Sequence, residues 1–286
     1  GFSWRTDFTY SYNMNRVLEL PDNGNPRNRI NGISVGDGSQ FGGIAEGERM
    51  GRIFGYVAER IIETQEEADA ARYDTQSRGY RRSDRRQIAG RKDIGDYEWL
   101  NRAGSARTAD GSEQINDEDM FLLGYVTPHS TGGMNNTFKY RNLSLSVYVD
   151  YALGHSVYNY MYTRGLQTSM GNCNWNLIYD ANDCWQKPGD KTDVPMLEVG
   201  GSYATASNSL IDASYFAIKN ITVGYTLPKR WLKKIDIESL RIYATLDNIA
   251  MFNHMDGMDP QYNFTGSVAY SYTPSRVIAF GIDLNF

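Results

Sequence analysis

The sequence predicts an all-β chain, an antiparallel transmembrane β-barrel. Three observations carry this. Apolar and polar residues alternate over runs longer than ordinary soluble strands, the connections between those runs alternate short and long, and no apolar run approaches the length of a membrane helix. Alternation at period two places successive side chains on opposite faces of a strand. A bilayer is crossed by about 9–11 tilted strand residues or about 20 helical ones. The 286 residues include 21 Tyr, 11 Phe and 5 Trp, yet mean hydropathy is only −0.54. A wall with one lipid face and one wet face averages to such a value. A net charge of −5 argues against nucleic acid as a partner.

The elements follow in order. From Trp4 to Leu18 one set reads Trp4, Thr6, Phe8, Tyr10, Tyr12, Met14, against Arg5, Asp7, Thr9, Ser11, Asn13 and Asn15. Glu63–Ala71 reads as a short helix with Thr64 as its N-cap and acids in its first turn. Phe138–Tyr140 then meets Leu143 through a tight turn at Arg141-Asn142. Leu143, Leu145, Val147, Val149, Tyr151 and Leu153 form one face, with Ser144, Ser146, Tyr148, Asp150 and Ala152 opposite. Ile221, Val223, Tyr225 and Leu227 repeat the pattern, as do Leu240, Ile242, Ala244 and Leu246. The last run is Ile278, Phe280, Ile282, Leu284 and Phe286, against Ala279, Gly281, Asp283 and Asn285. None of these apolar sets carries a charge, which would cost ~2–4 kcal/mol at mid-bilayer. A soluble antiparallel sandwich also alternates, but with strands of about five or six residues. Loops are expected at about 63–118, 155–211 and 253–273, with a shorter connection from Pro228 to Ser239. Short periplasmic turns and long external loops are the habit of outer-membrane barrels.

A final alternating strand ending in Phe286 resembles the terminal signature read by the outer-membrane assembly machinery. The segments Asp212 to Pro228, Ser239 to Asn248 and Gly257 to Pro260 resemble the late strand blocks of SusC-type TonB-dependent outer-membrane transporters of Bacteroidetes. Upstream, Gly51 to Tyr56, Gly95 to Tyr97, Asp110-Gly111 with Asp119, and Gly132 to Tyr140 are similar to that family in the same order. The resemblance implies that residues 1–286 are the carboxy-terminal portion of one large barrel domain of about 22 strands with a plugged lumen, lacking plug and early strands. It implies energised uptake of oligosaccharides or, as a close second, oligopeptides, with a SusD-like surface lipoprotein over the external face. TonB would act through the missing amino-terminal part. The competing expectation is a non-transporting surface barrel, an adhesin that binds ligands through its long loops.

Several residues are candidates for chemistry. Asp110, Asp117 and Asp119 lie where the family often carries a calcium-like loop, although their spacing departs from the Asp-x-Asn-x-Asp-Gly pattern. A solvated acidic loop is the competing explanation. Cys173 and Cys184 lie in the second long loop, and at an oxidising surface they are expected to close a disulfide that contributes ~3 kcal/mol. Trp175, Tyr179 and Trp185 flank it as candidates to stack on a ligand, or as the loop's own small core. Seven cations from Arg78 to Lys92, offset by Asp84 alone, could meet lipopolysaccharide phosphates or form a solvated loop. No G-x-S-x-G, H-E-x-x-H or phosphate loop occurs, and His129, His155 and His254 share no motif, so an enzyme is not expected.

Overall fold

The computed structural model describes residues 1–34, 40–74, 92–102, 107–159, 179–197, 207–233, 237–255, 258–261, 266–268 and 272–286. Its strands are β1 (Phe2–Tyr12), β2 (Ile33–Ser34), β3 (Gln40–Phe41), β4 (Arg52–Gly55), β5 (Ala58–Ile61), β6 (Tyr73–Asp74), β7 (Tyr97–Trp99), β8 (Gln114–Ile115) and β9 (Phe121–Tyr125). There follow β10 (Ser130–Tyr140), β11 (Leu143–Leu153), β12 (Ser156–Asn159), β13 (Leu210–Asp212), β14 (Tyr215–Thr226), β15 (Ser239–Phe252), β16 (Ser267–Val268) and β17 (Val277–Asn285). Two short α-helices are described, α1 (Gln65–Ala70) and α2 (Lys229–Leu232).

Six strands build the wall, in the order β1-β10-β11-β14-β15-β17, every neighbour antiparallel. Their lengths, 9 to 14 residues, suit a tilted crossing of a bilayer. The register aligns the apolar sets across the sheet. Val147 faces Ile221, Ile221 faces Leu246, and Leu246 faces Ile278. One rung nearer the turn end, Leu145, Val223, Ala244 and Phe280 line up in the same way. The resulting outward stripe leaves Trp4, Phe8, Ile278, Phe280 and Ile282 exposed, an apolar surface that fits lipid and not water. The opposite face carries hydrogen-bonding groups: Ser146 Oγ donates to Asn135 at 3.0 Å, and the Thr222 and Thr245 hydroxyls meet at 3.1 Å.

Among the described residues no strand pairs with the outer edge of β1 or β17. Open edges leave backbone groups unsatisfied in hydrocarbon, so six strands form a sector of a closed wall.

β11 coincides with the expected Leu143–Leu153 run, and α1 has the expected N-cap: Thr64 Oγ1 accepts the Glu67 N–H at 3.2 Å while Glu67 Oε2 accepts the Glu63 N–H at 2.8 Å. Two elements differ. The first strand stops at Tyr12 rather than running to Leu18, because beyond it the Asn13 N–H bonds to the His129 carbonyl and Val17 pairs with Glu48. β10 begins at Ser130, although only Phe138–Tyr140 shows strand character in sequence. Its first half is held by its neighbours. A Cβ on Gly132 would lie 2.7 Å from the Tyr151 hydroxyl, and Asn136, on the outward face, accepts the Trp4 indole N–H at 3.1 Å and the Thr6 hydroxyl at 2.7 Å.

All three long connections leave the same end of the wall: residues 13–129, 154–214 and 253–276. The opposite end has the Arg141-Asn142 turn, with Arg141 at φ 54°, and the connection 227–238. The excursions knit together beyond the wall. β12 pairs with β13 and, in parallel, with β16 of the third excursion. The Met196 N–H bonds to the Gly95 carbonyl, and the Ser207 N–H to that of Tyr56, joining the second excursion to the first.

Candidate functional site

The site that this architecture defines is the mouth, where the strand ends, the excursions and the polar face meet. Two irregularities shape it. β14 and β15 slip register together, with Lys219 left between the paired residues Ile218 and Asn220, and with Asn248 at φ 52°. Asn tolerates that left-handed conformation better than most residues. The slip brings Lys219 Nζ to Asn248 Oδ1 (3.5 Å) and to Gln261 Oε1 of the third excursion. Gln261 Nε2 in turn donates to Asp150 Oδ2 on β11 at 3.4 Å, with the buried Tyr215 beside it. The backbone of Gln261 is fixed as well, its N–H donating to Asp259 Oδ1 at 2.9 Å. Below this group, Asn220 Nδ2 donates to Asp247 Oδ1 at 2.6 Å, so the polar face continues down the wall.

All three histidines of the chain stand within two residues of a strand terminus at the excursion end: His129 before β10, His155 after β11 and His254 after β15. His155 is buried, and burial holds its imidazole below the ordinary pKa although Asp212 and the Pro260 backbone favour the charged form. Beside it Gly154, at φ 76°, has its Cβ position filled by the His129 ring, so a glycine is required there.

Above the mouth the first excursion has two ionic cores. Arg27, Arg29 and Arg52 converge on Glu48, with Arg29 at 2.9 Å and Arg27 at 3.0 Å. Burial alone would raise the Glu48 pKa. The Arg29 hydrogen bond and the charges of Arg52, Arg29 and Arg27 outweigh it and hold the carboxyl below its ordinary 4.5. A carboxyl depressed in this way contributes stability that is present above the ordinary value and lost as pH falls through the lowered one. Acidification well below pH 4.5 is therefore expected to loosen residues 13–34 and 40–52 before the wall, seen as faster amide exchange there than in β11. The second core packs Tyr56, Tyr97, Trp99 and Ile115 over the buried Lys92–Glu98 pair, with Nζ to Oε1 at 2.6 Å.

The candidates from sequence divide. Asp119 is fully buried, and its carboxylate accepts the backbone N–H groups of Asn116 (3.0 Å) and Arg102 (2.8 Å). Asp117 accepts the Tyr56 hydroxyl at 3.1 Å, while Asp110 caps its own turn through the Ser112 N–H at 3.1 Å. Among the described residues no group of three or more His, Cys, Asp or Glu side chains is arranged to hold a metal, so Asp110, Asp117 and Asp119 are not brought together as the expected calcium site. The stacking role for Trp185 is corrected: the ring is 2% exposed and packs on Gly95, whose added Cβ would lie 3.0 Å from Trp185 and 2.6 Å from Met196. Tyr179 is 80% exposed and remains open to a ligand. Trp175 and Cys173 lie outside the described residues, and Cys184 makes no disulfide among them. Arg78 to Arg91 also lie outside, whereas Lys92 is buried on Glu98 and so is not available to a phosphate. Phe286 follows β17, exposed. Sequence reasoning missed Lys219, Asp150 and Gln261 as a group. The only signal was that Lys219 interrupts an alternating run, which is how a bulge reads in sequence.

A six-stranded meander with a lipid stripe, a polar face and all excursions at one end is a sector of a large outer-membrane-type barrel, and comparison with known proteins narrows that class. No family model matches the chain. It is 25% identical over its whole length to TonB-dependent receptor P3 of Formosa agariphila, and 27% identical, again over its whole length, to TonB-dependent receptor P39 of the same organism. The chain spans 27% and 28% of those proteins. Among solved structures it resembles the RagAB peptide importer in the 'closed-closed' state, with a TM-score of 0.70 and 19% identity, covering 100% of this chain and 27% of that one. The fold is that of the barrel of a TonB-dependent transporter, and the sequence resembles part of such receptors, as its motifs led one to expect. These relatives are receptors and transporters, not enzymes.

Proposed function

We propose that this chain forms the carboxy-terminal sector of the wall and mouth of a SusC-type, TonB-dependent transporter of the bacterial outer membrane. The observation that carries the reading is the single-ended arrangement of the excursions over a wall whose outward stripe carries no charge. A barrel that only anchors an adhesin has no need of a dense polar network on its inward face at the mouth, as Lys219, Asp150 and Gln261 provide here. The wall contacts lipid, the knitted excursions offer one platform to a SusD-like surface lipoprotein, and TonB acts through other parts of the intact polypeptide. Oligopeptides are the substrate class favoured over oligosaccharides, since the solved structure that it resembles is named as a peptide importer.

The test is the native polypeptide extracted from outer membranes in mild detergent. A species of about 100 kDa or more that co-purifies with a surface lipoprotein is expected, as large plugged barrels need about 22 strands. A lone 32.4 kDa chain that remains folded in detergent would overturn the reading.

A further inference from the structure

The Gln261 side chain sits between a cation and an anion, each of which meets the matching end of its carboxamide. The carboxamide oxygen accepts from the Lys219 ammonium, and the carboxamide N–H donates to the Asp150 carboxylate at 3.4 Å. Lys219 and Asp150 come from neighbouring wall strands, β14 and β11, and both reach the polar face just below the mouth. Any amide satisfies such a pair, because an amide accepts at oxygen and donates at nitrogen. Hydrogen bonds with one charged member are about twice as strong as neutral pairs. Asp150 has spare capacity: its Oδ1 is buried with no hydrogen-bond partner among the described residues. Asn248 Oδ1, also on Lys219, and the Tyr215 hydroxyl complete the surround.

Gln261 belongs to the third excursion, so whatever replaces its carboxamide removes one tie between that excursion and the wall strands. Asn248 Nδ2 to the Ser275 carbonyl (3.1 Å) and Arg276 to the Ile249 carbonyl (2.7 Å) hold the far end of the excursion independently. The pairing of β16 with β12 and the packing of Met255 and Met258 on Val157 and Ala213 hold the rest of the excursion, so displacement at Gln261 frees its side chain and leaves the excursion in place.

We propose that Lys219 and Asp150 form an amide-binding pair at the mouth, occupied here by the Gln261 carboxamide, and that a backbone amide of an incoming peptide takes its place. The inference deepens the transport reading above and rests on it for the identity of the visitor. Gln261 is thus a built-in competitor. Removing it raises the competent fraction of the site, and apparent affinity rises in proportion.

The experiment uses the intact polypeptide in outer-membrane vesicles, with N-acetyl-tetraalanine amide as an uncharged peptide probe and maltotetraose as an uncharged glycan probe. If Gln261 fills the pair about nine-tenths of the time, Gln261→Ala lowers the half-saturating peptide concentration about tenfold. Lys219→Met abolishes that binding. Heat-modifiable migration on gels confirms that each variant is a folded barrel. If Lys219→Met does not fold, the Gln261→Ala result decides by itself. Unchanged or weaker peptide binding by Gln261→Ala would overturn the proposal, as would an equal response to maltotetraose. Uptake of the same peptide by energised and de-energised cells reports on the transport reading separately. Binding that follows this pattern without energised uptake would keep the pair and remove the transporter.

Discussion

Phe280→Arg is expected to prevent the intact polypeptide from accumulating as a folded barrel, whereas Ala279→Arg, one residue away, is expected to leave it largely intact. Phe280 stands near the middle of β17, opposite Ala244, in line with Val223 and Leu145, and is 82% exposed on the outward stripe. In the bilayer that exposure is contact with hydrocarbon. An arginine at mid-depth on a lipid-facing strand costs ~2–4 kcal/mol. At about 1.4 kcal/mol per factor of ten this lowers the ratio of folded to unfolded barrel about thirtyfold to several hundredfold. Ala279 faces Thr245 on the polar side, where an arginine meets water and shares a face with Asp283. The measurement is the amount of heat-modifiable protein in washed outer membranes for each variant. Equal loss in both would show that β17 tolerates no bulk on either face and would remove the two-faced reading. Equal tolerance would show that the stripe does not meet hydrocarbon.

That asymmetry is legible in the sequence because period two maps each residue to a face, provided the register holds. Along β11 and the turn-side halves of β14 and β15 it holds, and the expected faces are those observed. It fails where backbone irregularity enters. Phe216 and Ile218 have the opposite parity to Ile221, Val223 and Tyr225, so alternation alone would put Phe216 and Ile221 on different faces. The bulge between Ile218 and Asn220 reconciles them: Ile218 pairs with Val149 and Phe216 with Tyr151, both on the outward stripe.

The same slip explains why the mouth is not legible in sequence. Lys219 looks like a charge breaking a strand, and Asp150 like one more polar residue on the wet face. What makes them a site is Gln261, 42 residues beyond Lys219 and 111 beyond Asp150, in a loop whose path no local pattern encodes. Trp185 fails for a related reason. An aromatic in an external loop reads as available to ligand, but Gly95, at φ 87°, leaves the space that lets the ring sink into the first excursion. The Gly95 to Tyr97 motif is visible in the chain; its partner is not.

The excursions' own stability gives the second large effect, through the Lys92–Glu98 pair. Their side chains are 1% and 4% exposed, with Nζ and Oε1 2.6 Å apart. Glu98 also accepts the backbone N–H groups of Arg72 at 3.3 Å and Trp99 at 3.2 Å, and the Arg72 guanidinium lies 3.8 Å away. This carboxylate thus ties β7 to the chain after α1. Lys92→Met removes the ammonium and leaves Glu98 buried with reduced compensation, at a cost of ~3–5 kcal/mol. Amide exchange in residues 58–72 and 92–99 is expected to rise by about two orders of magnitude or more, since about 1.4 kcal/mol is tenfold, while β10 and β11 keep their protection because the wall does not depend on this pair. The double variant Lys92→Met with Glu98→Gln should recover much of the loss, because a neutral amide in place of the carboxylate removes the uncompensated charge and keeps the acceptor oxygen. Recovery identifies buried charge as the cause. A double variant as unstable as the single one would assign the loss to packing around Tyr97 and Trp99 instead. Loss of protection in β10 and β11 together with the excursion would show that the cap and the wall unfold as one unit, contrary to the separate hydrogen-bonded sheets that they form.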